Sequence, residues 1–145
     1  MMEYVERAEL SPDEIIDILD MPISANIAFL DRSGFPRMLP CWYVWYKDTF
    51  MTTSIRRKFH VTCLKEDPRG SFCVDFERTE NRIRMNRQVK GFGKFEIFDD
   101  DMDIQRRIRK KYLADDTLPV SGIERVVLAL TPHKLSAHGV DVILD

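Results

Sequence analysis

A chain of 145 residues fits one domain, and with 44% apolar and 10% aromatic residues it has the makings of a real core and lies outside the disordered class. A formal net charge of −2 argues against a general nucleic-acid binder, which is ordinarily basic overall. No stretch reaches the about 18 apolar residues of a membrane span, Met1–Leu10 has no signal-peptide core, and the scattered Cys41, Cys63 and Cys73 read as reduced thiols, so a soluble cytoplasmic protein is expected.

The elements follow in chain order. Ser11-Pro12-Asp13-Glu14 is a helix start, with Ser as N-cap, Pro in the first position and Glu three residues on. Ile15, Ile16, Ile18 and Leu19 form its apolar stripe, which ends at Met21-Pro22. "SANIAFLD" reads as a strand and Arg32-Ser33-Gly34 as a hairpin turn. "FPRMLPCWYVWYKDTFMTTS" reads as two strands joined near Lys47-Asp48, its aromatic run suiting a pleated surface. Ile55, Phe59 and Cys63 then recur every four residues, which predicts a helix over 55–66, stopped at Asp67-Pro68.

"GSFCVDFE" reads as a buried strand. "NRIRMNRQVKGFGKFEIF" reads as a long one, with Gly91 and Gly93 marking a bend or bulge. Asp99, Asp100, Asp101 and Asp103 load the start of the next helix and Arg106 to Lys111 its end, a polarity that complements the helix dipole. Glu124 to Thr131 is a strand stopped by Pro132, and "GVDVILD" a last short one. Short helices among six or seven mainly hairpin-connected strands predict an antiparallel β-barrel or sandwich, in one domain.

The stretch "TTSIRRKFH", residues 52 to 60, concentrates three hydroxyls, three cations and a histidine in nine positions. Cations in a first helical turn run against the dipole, and a bound phosphate would reverse that cost. A solvated basic corner and an anion cradle both fit. In "NRIRMNRQVK", strand alternation puts Arg82, Arg84, Asn86, Gln88 and Lys90 on one face, as a solvated surface, a nucleic-acid track or one wall of an anion site. The lack of interleaved aromatics before Phe92 weighs against the track. His60-x-x-Cys63 has no second close pair, so no metal site is expected, and His133 and His138 read as surface residues. No hydrolase, P-loop or dinucleotide motif occurs. The basic side of the Asp103–Leu113 helix (Arg106, Arg107, Arg109, Lys110, Lys111) reads as a solvated face and is the best ground for a nucleic-acid alternative.

Taken in order, "IAFLDRSGFPRMLPCWYVWY", "FMTTSIRRKFHVTCLKEDPRGSFCVDF" and "NRQVKGFGKFEIF" resemble the flavin-binding split-barrel superfamily related to pyridoxamine 5'-phosphate oxidase, which includes the F-420 (deazaflavin)-dependent reductases. The resemblance runs from about Ser11 to Pro132. It implies a mainly β fold, a six-stranded antiparallel split β-barrel (Greek key) with short flanking helices, spanning 1–145 as a single domain. It implies a homodimer with FMN, or alternatively F-420, at the subunit interface, and hydride exchange with an unidentified small molecule. Arg37, Met38 and Leu39 would line the isoalloxazine edge, Thr52 and Thr53 would sit beside the ribityl phosphate, and Arg57 and Lys58 would bind the phosphate. Gln88 would reach the cofactor from the partner subunit.

Trp42 stands where the oxidase proper has lysine, and His60 where many deazaflavin relatives have asparagine. The closing "HGVDVILD" lacks the Arg-x-His segment that grips pyridoxal phosphate, so oxidation of pyridoxamine phosphate is not expected. No catalytic acid or base is named, since the cofactor carries the chemistry. A non-catalytic flavin or haem carrier is the alternative of a different class, and a nucleic-acid binder a third.

Overall fold

The computed structural model describes residues 1–115, 117 and 124–145. In chain order its elements are β1 (Glu3–Arg7), α1 (Pro12–Asp20), β2 (Ala25–Leu30), β3 (Pro36–Cys41), β4 (Val44–Tyr46), β5 (Thr49–Ile55), α2 (Phe59–Glu66), β6 (Arg69–Glu80), β7 (Ile83–Asp99), α3 (Asp103–Leu113), β8 (Arg125–Leu130) and β9 (Ser136–Ile143). Helix α1 begins as the sequence predicts: Glu14 N–H donates to Ser11 Oγ at 3.2 Å and Ser11 N–H donates to the Glu14 carboxylate at 3.3 Å.

Every strand pairing is antiparallel, and β3-β2-β6-β7-β8-β5-β4 form one continuous path, with β9 on β7 and β1 on β9. The long β7 makes this possible. Its Ile83–Lys94 half pairs with β6, and its Phe95–Asp99 end passes to β8. The change of partner falls just after Gly91 and Gly93, where the register with β6 continues without an inserted residue, so the glycines mark a bend and not a bulge. A Cβ on Gly91 would stand 2.7 Å from the Phe72 ring, so the bend needs glycine for close approach.

Two tight hairpins turn on paired left-handed residues, Lys47-Asp48 (φ 53° and 56°) and Asn81-Arg82 (φ 50° and 63°). Inside, Tyr43, Phe50 and Phe72 stack at 4.9 and 4.5 Å, surrounded by buried Leu19, Ile27, Leu64, Leu128 and Leu130.

Four expectations need correction. Among the described residues there are nine strands, where the resemblance implied six. The run from Phe35 to Ser54 holds three strands, because the path leaves β3 at Trp42-Tyr43, where Tyr43 turns into the core, and resumes as β4. The predicted helix over 55–66 starts only at Phe59. Ile55 instead completes β5 by pairing with Arg125, and Arg56 and Arg57 lie in the connecting turn. The last strand begins at Ser136, well before "GVDVILD", because it extends along β7 as far as Lys90. Strand β1 had no signature in the sequence: four of its five residues are exposed.

Candidate functional site

The sheet leaves two edges facing each other. Among the described residues, strand β3 pairs with β2 alone, and β4 covers only the Thr49–Met51 part of β5, so Thr52–Ile55 is unpaired on that side. Prolines show which β3 groups are free. In an antiparallel pair every second residue turns its N–H and C=O away from its partner strand, and a proline, lacking N–H, is suited to that position. Pro36 and Pro40 therefore put Met38, midway between them, at an outward-turned position. The Ala28 carbonyl agrees, lying on the β6 side of β2, 2.7 Å from where a Gly70 Cβ would stand. The Met38 main chain thus offers a free donor and acceptor at the open edge.

A cleft of about 390 Å³ opens here. Leu39, Cys41 and Trp42 border it from β3 and its end, Thr52, Thr53 and Ser54 from β5, His60 from α2, Gln105 and Arg109 from α3, and Arg125 from β8. Among the described residues its lining carries two arginines and no carboxylate, so it favours an anion. The His60 ring nitrogen Nε2 and Ser54 Oγ are 2.7 Å apart. Burial, and secondarily the Lys58 ammonium, hold the His60 pKa below its usual value. Burial pushes the Cys41 thiol up to about 11, against a hydrogen bond with Thr52.

Of the sequence-predicted residues, Leu39, Thr52 and Thr53 meet in this cleft. Both threonine hydroxyls are already engaged. Thr52, 3% exposed, donates to the Trp42 carbonyl at 2.6 Å, and Thr53 donates to Gln105 Oε1 at 2.8 Å. Arg37 faces elsewhere, its guanidinium 4.9 Å over the Phe59 ring and 3.4 Å from Asp31. Met38 points its side chain to the opposite face of β3 and is 72% exposed. Only the backbone edge of β3 can present Arg37, Met38 and Leu39 to a single ligand. Gln88 sits on β7, three strands along from β3, where its amide donates to Asn86 Oδ1 at 3.4 Å; it lies outside this cleft.

The three consecutive cations divide. Arg56 is bound to Asp99 and, at 3.1 Å, to Glu124, which ties the end of β5 to the ends of β7 and β8. Arg57 and Lys58 are exposed and make no ion pair among the described residues. Lys58 is the N-cap of α2, a position that ordinarily takes an acceptor side chain, and it supplies no capping bond. The first N–H groups of α2 are left beside two uncommitted cations, which is an environment for a phosphate.

The sequence reading missed Gln105 and Arg125 as cleft residues and took Arg109 as solvated surface. A usable signal existed in α3, where Gln105 and Arg109 stand at i and i+4 beside Ile108 and share a face. Nor is the rest of that basic side a free strip. Arg107 pairs with Asp103 and lies 3.9 Å over Tyr46, and Arg109 Nε donates to the Thr117 carbonyl. Lys111, expected on the solvated face, instead turns inward to donate to the Leu19 and Tyr43 carbonyls at 2.8 and 3.1 Å. Among the described residues no three of His, Cys, Asp and Glu gather as metal ligands, and no helix is long and apolar enough to cross a membrane.

No family model and no curated protein matches the chain. Solved structures do. A conserved hypothetical protein from Mycobacterium tuberculosis matches with a TM-score of 0.75 at 17% identity, over 90% of this chain and 86% of that one. An F420 reductase matches with a TM-score of 0.63 at 18% identity, over 83% and 94%. A pyridoxamine 5'-phosphate oxidase-related, FMN-binding protein from Nostoc punctiforme matches with a TM-score of 0.61 at 14% identity, over 90% and 85%. The fold is the split barrel of the pyridoxamine 5'-phosphate oxidase-like proteins. In this split barrel the split is the gap between β3 and the Thr52–Ile55 end of β5, and the cleft occupies it.

Proposed function

We propose that the protein is a flavin-dependent oxidoreductase that binds FMN in this split and exchanges hydride with a small molecule. The observation that carries the reading is the pair Arg57 and Lys58. Both are exposed, free of ion pairs among the described residues, and set against an uncapped helix start at the edge of an anion-favouring cleft. The residues present fit a phosphorylated flavin. Arg57, Lys58 and the first N–H groups of α2 would hold the phosphate, and the outward Met38 N–H and C=O would meet the polar edge of the ring. Leu39 and Thr53 would border the ring and its ribityl chain. The buried Thr52 acts indirectly, by fixing the Trp42 carbonyl and so the end of β3. The flavin supplies the hydride-accepting and hydride-donating centre.

Gln88 fits this reading only from a second copy of the chain, so the functional unit is a homodimer in which each cofactor is completed across the interface. F-420 is the second reading, favoured by the likeness to an F420 reductase; it also carries a phosphate, which the same cations would hold.

The test compares FMN with riboflavin, which lacks the phosphate. Charge-assisted hydrogen bonds contribute about 1.5–3 kcal/mol each, so the double variant Arg57→Ala, Lys58→Ala should weaken FMN binding about 10²–10⁴-fold. Riboflavin should change by less than about threefold, since the lost groups do not touch its ring. Equal losses for the two ligands would show that these cations do not read a phosphate, and binding of neither FMN nor F-420 would end the flavin reading.

A further inference from the structure

Trp42, between β3 and β4, is held from several sides yet left open on one. Its indole stacks on the Tyr112 ring, centroids 4.7 Å apart and planes 4° from parallel. Tyr112 is itself locked, its hydroxyl donating to the Ile23 carbonyl at 2.7 Å and accepting from Tyr43 N–H at 3.3 Å. The neighbouring Lys111 ammonium lies 3.7 Å over the Tyr43 ring and donates to the Tyr43 carbonyl, which pins the end of α3 to the backbone just after Trp42. The Trp42 carbonyl in turn accepts from Thr52.

Despite this, Trp42 is 44% exposed and borders the cleft. Tyr112 covers one face of the indole, so the exposure belongs to the other face and the ring edge. Its indole N–H has no acceptor among the described residues. A rigid aromatic face, already stacked behind, loses little freedom when a second ring is laid on it.

We propose that the open face of Trp42 is a specificity-determining wall that takes the planar conjugated ring of an anionic substrate, held in the cleft beside the cofactor. The proposal rests on the flavin reading above. Arg109 and Arg125, with no carboxylate among the described residues of the lining, supply the preference for an anion. A flavin is itself a planar anion, so the ring on Trp42 has two sources, substrate and cofactor, and the experiment separates them.

The probes are 2-naphthoate and decahydro-2-naphthoate, which share a carboxylate but differ in having flat or puckered rings. Binding is measured by titration calorimetry on the FMN-saturated protein. The flat acid should bind about tenfold more tightly, Trp42→Leu should abolish that difference, and Trp42→Phe should keep most of it. FMN affinity of Trp42→Leu should stay within about twofold of the parent. Equal binding of the two acids, or a preference that survives Trp42→Leu, overturns the proposal. Displacement of FMN by naphthoate, or a loss of FMN affinity in Trp42→Leu as large as the loss of naphthoate, assigns the face to the cofactor and overturns it as well. If neither FMN nor F-420 binds, the flavin reading falls by that result alone. The same two acids on the protein as purified then decide whether Trp42 is an aromatic wall.

Discussion

Replacing Asp141 by alanine should destabilise the fold by about 3–5 kcal/mol, more than any surface ion pair would predict. Asp141 lies on β9, diagonally across from Arg87 on β7, and its carboxylate is 2.7 Å from Arg87 Nη1. The Arg87 side chain is only 8% exposed. Its one other hydrogen bond among the described residues is to the Asn86 carbonyl, at 2.9 Å. Gly139, directly opposite Arg87, makes the space: a Cβ there would fall 2.9 Å from Arg87 Cδ and 2.1 Å from the Asn86 carbonyl oxygen. Without Asp141 the guanidinium stays buried with no ion-paired counter-charge among the described residues. Arg7, whose Nη1 is 3.8 Å from the other Asp141 oxygen, is a second cation, and the Glu14 carboxylate, which feels the Arg87 charge, is paired with Arg7 instead.

Partial access of Asp141 to solvent favours the lower end of the range. At about 2–4 °C per kcal/mol for a chain of this size, a loss of about 3 kcal/mol lowers Tm by about 6–12 °C. Urea unfolding monitored by tryptophan fluorescence gives the free energy, with an unchanged m-value confirming that the denatured state is the same. The control is the double variant Arg87→Met, Asp141→Leu, which removes both charges and should recover most of the loss. A loss below about 1 kcal/mol in Asp141→Ala, or a double variant as unstable as the single one, would refute the account of Arg87 as a buried charge that depends on its partner.

Two further outcomes follow from the cleft. Because the folded-state pKa of His60 is lowered, the unfolded chain takes up its proton first as pH falls below the ordinary histidine value near 6.5. Stability should therefore decline with acid between that value and the lower folded pKa, and His60→Asn should remove this component in unfolding experiments run across the range. With its thiol pushed up to about 11, Cys41 should react with iodoacetamide at pH 8 about a hundredfold more slowly than an ordinary cysteine, as peptide mapping of timed samples will show; an ordinary rate would refute the burial.

What the sequence revealed depended on whether the signal was local. The Ser11–Glu14 capping box and the Lys47-Asp48 turn are decided within a few residues, and both were legible. Arg87 was not. Alternation places it on the face of Ile83, Met85 and Val89, but nothing nearby in the chain says that Asp141 arrives there to neutralise it. Ile55 kept helical spacing with Phe59 and Cys63, and its pairing with Arg125 overrode that local pattern. The candidate site was half visible for the same reason. The β3, β5 and α2 segments lie close in sequence and could be read together, whereas the wall supplied by Gln105, Arg109 and Arg125 comes from distant chain brought over by the sheet. The three cations of "IRRK" could not be told apart until Asp99 and Glu124 were seen to occupy Arg56.

The double membership of β7 has a consequence for how the chain finds this fold. The β6–β7 hairpin closes through Asn81-Arg82 and can form early, as a local event of microseconds. Its remaining partners come from far along the chain: β8 must reach Phe95–Asp99, β9 must reach Ile83–Lys90, and β1 can add only once β9 is in place, joining Glu3 to Ile143. Loop closure over such spans precedes the contacts that reward it, so folding belongs to the millisecond-to-second regime of β-rich topologies. Until β8 docks, β5 has no partner among the described residues except the short β4, and the far wall of the cleft is missing. Binding competence is therefore a late event, and a cofactor that selects the finished cleft acts on the last step of assembly and not on its nucleus.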